Sequence, residues 1–503
     1  MHALASLYGT CRSEQLRATL AGALARVLRQ QRWLIAGVLH HAGGTRLLVR
    51  GVADTQLRAA QAMASAACLA LMDAGGGEGG RPAVVLSAAE EKVLLPPLLA
   101  CLEQPGVVLR AKACLALLLL VRRSPRALRQ ACAARLLPTL DRLASDGEYV
   151  GDGFGAAALH ALEAGVVRSG RGIMEAVAVE LRQRKKGGGD RSDRERVHSA
   201  QPGSALPLFP AVLFLAGSAS LRADLLGEAN LSRLGELVRL TLAPRVSGGA
   251  FSAGGVPLDF ASVLLQTVEA VASQPDLVLD TAAVVGTRLL PALADAVAGG
   301  GSGGELRFQA LRCVADLLAP ILSTPVAYEL HAEAIADACI HRLGPAYAGL
   351  LADEEPIPLA TLKLLGALVE RDAARYAVAA ARSGLVPPLL SFLRISSMLC
   401  NIHNIRLVRQ LMALDESELP TGELVRHDAA AGLAGVLEYA AANSVGPFLE
   451  PALTIGAALL LRGADTGGQL AALAPVADGL RAHEIERIAA AAEGFARACA
   501  AST

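Results

Sequence analysis

The chain has 503 residues, 53% hydrophobic and 3% aromatic, and its 47 basic and 47 acidic side chains cancel to a formal net charge of zero. That balance excludes the strongly basic footprint of a nucleic-acid binder. Ala and Leu dominate, both strong helix formers, and alternating Val/Ile/Thr/Tyr runs are nearly absent, so the composition predicts an all-α chain. With so few large aromatics, the core must come from many small helix–helix contacts, the regime of repeat solenoids.

In chain order, the first ten residues hold no basic segment and Arg12 follows, so no secretory leader is expected. Trp33 is the only tryptophan. Four residues on stands Gly37, where an importin-type armadillo groove carries Asn. The glycine tract at 75–80 reads as a loop between helices.

The stretch LLPPLL at 94–99 opens a recognisable unit. Proline is tolerated in the first turn of a helix, where its missing N–H costs nothing. An EQPG break at 103–106 follows, then VVLRAKACLALLLLVRR at 107–123 as a second helix. Small Ala lets neighbouring axes approach, and Leu on the remaining faces suits a helix touched on several sides. Arg122 and Arg123 complement the negative helix end. Copies recur as LLPAL at 289–293 before GGGSGG and Arg307, LGP at 343–345 before DEEPIP, and LVPPLL at 385–390. Leu136-Leu137-Pro138 and Phe448 to Pro451 are looser versions. The predicted fold is an all-α armadillo/HEAT-type α-solenoid of roughly ten to twelve helical repeats, at about 40 to 47 residues each.

Two features interrupt the array. Residues 182–204, RQRKKGGGDRSDRERVHSAQPGS, lack apolar periodicity and read as a polar disordered loop between an N-terminal block, 1–181, and a C-terminal block, 205–503. Residues 246–257 form a Gly-rich break. The charge-free span 197–221 has an apolar centre, ALPLFPAVLFLAG, too short for the about 20 residues of a membrane helix. It reads as a buried helix entered through Pro207 and Pro210.

The motifs of catalysis are not met. Kinase signatures are absent. HEIER at 483–487 has Arg487 where a zinc protease needs its second His. The glycines at 299–304 lack the preceding strand and the Lys-Ser/Thr of a phosphate loop. Asp353, Glu354 and Glu355 sit beside two prolines and read as a solvated turn. Nine cysteines, unpaired in spacing and set in apolar helical text, read as small buried hydrophobes in a reducing compartment. No catalytic, cofactor or metal residue is therefore assigned, and the chain reads as a cytoplasmic protein rather than an enzyme.

Three features are candidates for binding. Arg184, Lys185 and Lys186 open the basic loop, which is either solvated or in contact with an acidic partner such as a tubulin surface. Asn401 and Asn404 carry amides that both donate and accept, as needed to hold a peptide backbone; alternatively Asn404 caps the helix starting at Ile405. Arg110 and Arg307 recur at the start of second helices, where they brace the next repeat or form a charged ladder for a partner.

Several stretches taken together resemble a known family. VLRAKACLALLLL at 108–120, ACAARLLPTLDR at 131–142 and Glu148-Tyr149 come in the order found in the armadillo/HEAT region of the Unc-51-like kinase four (Runkel) family. SALPLFPAVLFLAGS, LLQTVEAVASQPDLVLD, LRFQALRCVADLLAPIL and EPIPLATLKLLGALVERD continue the likeness over roughly residues 85 to 395. The resemblance implies a non-enzymatic scaffold of cilia and microtubule structures, in ciliary assembly or motility and in cytokinesis. It implies protein partners such as a Fused-type kinase or axonemal and microtubule proteins, and a cilium or cytoskeleton location. The family's kinase-like domain has no counterpart here. The alternative is a generic HEAT/armadillo adaptor, such as a phosphatase scaffold or trafficking subunit.

Overall fold

A computed structural model describes residues 2–31, 34, 44–73, 88–187, 204–242, 258–299, 303–392, 398–412, 418–465 and 467–502. Trp33, Gly37, the glycines at 75–80, residues 188–203 and the break at 246–257 lie outside the described residues. Every described element is helical, and the fold is an all-α solenoid.

The chain divides into two compact units. The first comprises Met1–Arg233 with Gly254–Ala270, and the second Leu234–Ala253 with Val271–Thr503. Residues 204–233 fall in the first unit. The helix Pro210–Gly217 packs on the helices Gly153–Gly187 and Pro125–Ala133. Its buried Ala211, Val212 and Leu215 supply the apolar face that holds it there.

In the first unit the helices Glu14–Gln30, Leu57–Asp73, Val107–Arg123 and Gly153–Gly187 touch in that order. In the second the succession is Gly304–Ser323, Ile357–Arg371, Met398–Met412, Gly446–Leu461 and Glu486–Ser502. Successive helices begin roughly forty to fifty residues apart, the HEAT/armadillo spacing. The 107–123 helix shows why the pattern works. It also packs on Ala88–Leu102 and Pro125–Ala133, and Ala111, Ala113, Cys114, Ala116, Leu117, Leu120 and Val121 are all buried among these neighbours.

Proline placement departs from the sequence reading at two copies. Pro96 and Pro97 lie inside Ala88–Leu102, and Pro451 lies inside Gly446–Leu461, because good helix formers upstream extend those helices past the expected start. Pro138 and Pro387 do fall in first turns, of Leu136–Ser145 and Val386–Phe392. Wider π turns at Val285–Leu289 and Asp337–Arg342 run into Pro291 and Pro345. A proline has no N–H for the i−4 carbonyl and crowds it, and a π turn is where a helix absorbs such a mismatch.

Two further expectations are corrected. Residues 182–187 are the last turns of Gly153–Gly187, not loop; the Glu180–Arg184 pair at 2.6 Å supports them. Asn404 is not a cap. Met398–Met412 begins upstream of it, and the buried face of Ile405, Val408 and Leu411 carries the helix through the asparagine.

Candidate functional site: the helix stack and its arginine braces

The residues repeated in sequence are repeated in geometry. Arg110 is the fourth residue of Val107–Arg123, and Arg307 the fourth of Gly304–Ser323. Arg110 Nε donates to the Gln104 carbonyl at 2.8 Å, and its Nη1 donates to Asp146 at 2.6 Å. Arg307 Nε donates to the Val297 carbonyl at 3.0 Å, and its Nη1 donates to Asp353 at 2.6 Å. Each guanidinium thus ties a carbonyl shortly before its own helix, in the EQPG break for Arg110 and in the last turn of Leu290–Ala298 for Arg307, to a carboxylate of the following break. The two arginine side chains are only 14% and 17% exposed. Arg110 also lies over the buried Tyr149 ring, 5.7 Å from its centre.

The carboxylates are fixed in turn. Asp146 Oδ1 accepts the N–H groups of Glu148 and Tyr149, capping the short Gly147–Gly151 helix. Asp353 accepts the N–H of Glu354 at 2.9 Å. Asp353 therefore stands in the turn the sequence suggested, but engaged by an arginine of the preceding repeat.

A third brace escaped sequence reasoning. Arg17, fourth in Glu14–Gln30, donates to both oxygens of Asp54 at 3.1 and 3.2 Å. Asp54 also accepts from the Tyr8 hydroxyl at 2.8 Å and the Gln56 N–H at 2.9 Å. The signal was the position of the arginine in its helix; no leucine–proline copy precedes it to mark the repeat. In the second unit, Asp372 caps Ala373–Arg382 through the Arg375 N–H and accepts the Tyr328 hydroxyl at 3.0 Å. Arg371 covers the Tyr328 ring at 4.9 Å.

Exchanging Arg307 for Glu should destabilise the chain by about 2 kcal/mol. It removes a carbonyl bond and an ion pair and sets two carboxylates against each other in a partly screened site. Urea denaturation checks this, and an unchanged midpoint would free Arg307 from a bracing role.

The brace also carries a pH dependence. The hydrogen bond from Arg110, with the Tyr149 N–H, holds the Asp146 carboxyl below its ordinary value. A depressed folded-state value stabilises the fold above the unfolded value of about 4 and is lost as pH falls through the folded one. The Tm of Arg110→Gln should therefore converge on wild type below about pH 4 and diverge from it at neutral pH.

The other sequence candidates are scattered. Arg184 pairs with Glu180, whose two oxygens also accept from Ser204 Oγ at 2.8 Å and the Ala205 N–H at 2.7 Å. Glu180 so holds Ser204 and Ala205 against the Gly153–Gly187 helix. Lys185 is exposed on the same helix, and Lys186 lies in its last turn. Asn401 shares a helix with Asn404. The fully buried Asn404 donates Nδ2–H to the Leu389 carbonyl at 2.5 Å, and among the described residues its Oδ1 has no partner. The amide thus braces a neighbouring helix and is not displayed to a peptide.

Burial pushes the thiols of Cys101 and Cys114 up to about 11, and those of Cys68, Cys132 and Cys339 up to about 12. A thiol so raised is a poor nucleophile at neutral pH. Among the described residues, no three His, Cys, Asp or Glu side chains come together as a metal site, and no helix is long and apolar enough to cross a membrane.

This geometry meets a sequence family. Residues 173–376 match the HEAT repeats of ULK4-like serine/threonine-protein kinases. Those residues are a ULK4-like HEAT-repeat region. Over 389 residues the chain is 30% identical to the serine/threonine-protein kinase RUNKEL of Arabidopsis thaliana, an alignment covering 76% of this chain and 27% of RUNKEL. The chain thus spans about a quarter of that ULK4-like relative's length. Among solved structures, an engineered protein aligns over 99% of both chains at 12% identity and a TM-score of 0.46. A computationally designed armadillo repeat protein for modular peptide recognition aligns over 48% of this chain and 94% of its own, at 14% identity and a TM-score of 0.38.

Proposed function

We propose that this chain is a non-catalytic helical scaffold that binds protein partners along its repeats and serves cilia or microtubule structures. The observation that carries the reading is the ULK4-like HEAT match at 173–376, which falls on repeat helices in both compact units. The repeats divert polar side chains such as Arg110, Arg307 and Asn404 into holding neighbours together, which is what a scaffold requires. The family likeness supports a Fused-type kinase or axonemal and microtubule proteins as partners, and a location at the cilium or cytoskeleton.

Proximity labelling of the tagged protein in a ciliated cell tests this. Enrichment of axonemal, microtubule or Fused-type kinase proteins is expected. Enrichment of phosphatase or trafficking subunits instead would move the chain to the general HEAT/armadillo adaptors.

A further inference from the structure

The helices 57–73, 107–123 and 153–187 lie side by side in the first unit, so each is touched by a stack neighbour and keeps one stripe open. On 107–123 this stripe runs Val108, Lys112, Leu115, Leu119 and Arg122, at steps of three and four residues, exposed at its two ends and half-buried between them. The adjoining stripes bring Arg58, Leu69 and Met72 from one side and Arg168 from the other. This surface is both apolar and cationic. Lys112 Nζ donates to the Gln61 carbonyl at 3.2 Å. Arg58, Arg122 and Arg168 are exposed and have no ion-pair partner among the described residues, unlike the braced arginines. Glu163 lies at the margin, towards Asp141 and Asp224, and Glu175 is paired with Arg233.

Resting on the scaffold reading, we infer that this open face binds an acidic, leucine-bearing segment of a partner protein lying across the three helices. The cations supply the complement to acidic side chains, and Leu69, Met72, Leu115 and Leu119 supply apolar contact between them. Packed helices stand about 8–10 Å apart, and an extended chain advances about 3.3 Å per residue. An extended segment therefore presents about every third residue to each successive helix. Arg122 and Arg168 are each sixteenth in their helices, whereas Arg58 is second in its own, about 20 Å along the axis, so the segment that fits runs obliquely, with carboxylates at both ends and leucine between them.

A fluorescein-labelled peptide of repeated Glu-Leu-Ser, and its Lys-Leu-Ser counterpart, test the surface by fluorescence anisotropy on the full chain. The acidic peptide should bind and the basic one should not. The triple variant R58E/R122E/R168E should weaken binding about tenfold with an unchanged Tm. A control with the same change of charge elsewhere, R12E/R126E/R129E, should bind like wild type. Equal binding by wild type and the first triple, equal loss in both triples, or binding of the basic peptide each overturns the inference. Proximity labelling with the first triple separates the two readings: an unaltered partner set removes this face and leaves the scaffold standing.

Discussion

Leu117→Asp should unfold the repeats around it, at a cost of about 5 kcal/mol or more. Leu117 is fully buried in the 107–123 helix, which is enclosed by the helices 57–73, 88–102, 125–133 and 153–187. Aspartate at this position loses the leucine packing and brings a carboxylate to a place with no water. Leu117→Ala, which opens a cavity without adding a charge, should cost about 2–5 kcal/mol. The ordering of the two variants in thermal unfolding separates the mechanisms. Aspartate tolerated at wild-type Tm would show that this face of the helix is open.

Gly235→Val should cost about 3 kcal/mol. A Cβ on Gly235 would stand 2.8 Å from the Arg288 carbonyl oxygen and 3.0 Å from its carbon. Both are backbone atoms of the Val285–Leu289 turn, so no side chain can swing aside. The helix Glu228–Leu242 must then move away from that turn, and the buried faces of Leu234 and Leu289 separate with it. Gly366, whose Cβ would meet nothing within 4 Å, provides the control: Gly366→Val should change the urea midpoint far less.

The parts of this architecture legible in sequence are those set by period. The leucines and alanines of 107–123 announce a helix enclosed on several sides because burial leaves its mark at every third and fourth residue. Arg110 and Arg307 were visible because each follows a leucine–proline copy. Their partners were not. Asp146 and Asp353 lie in turns, where no hydrophobic period fixes the spacing, and Asp353 looked like one of three solvated acids. Arg17–Asp54 stayed hidden because, in addition, no leucine–proline copy precedes Arg17. Asn404 was misread because its helix starts before the apolar run that seemed to begin at Ile405. Pro96 was misread because AAEEKV upstream is sufficiently helix-forming to carry the chain through a proline. The open face was not foreseen either. Arg58, Arg122 and Arg168 come from three helices far apart in the chain, and only their stacking brings them to one side.

The central claim is that this protein is a stack in which each repeat depends on its immediate neighbours. Hydrogen exchange with mass spectrometry on Leu117→Asp measures that dependence directly. Protection should fall in the helices 57–73, 107–123 and 153–187 and persist in 398–412, 446–461 and 486–502. Uniform loss along the whole chain would contradict it, because a single cooperative core would then be holding the fold.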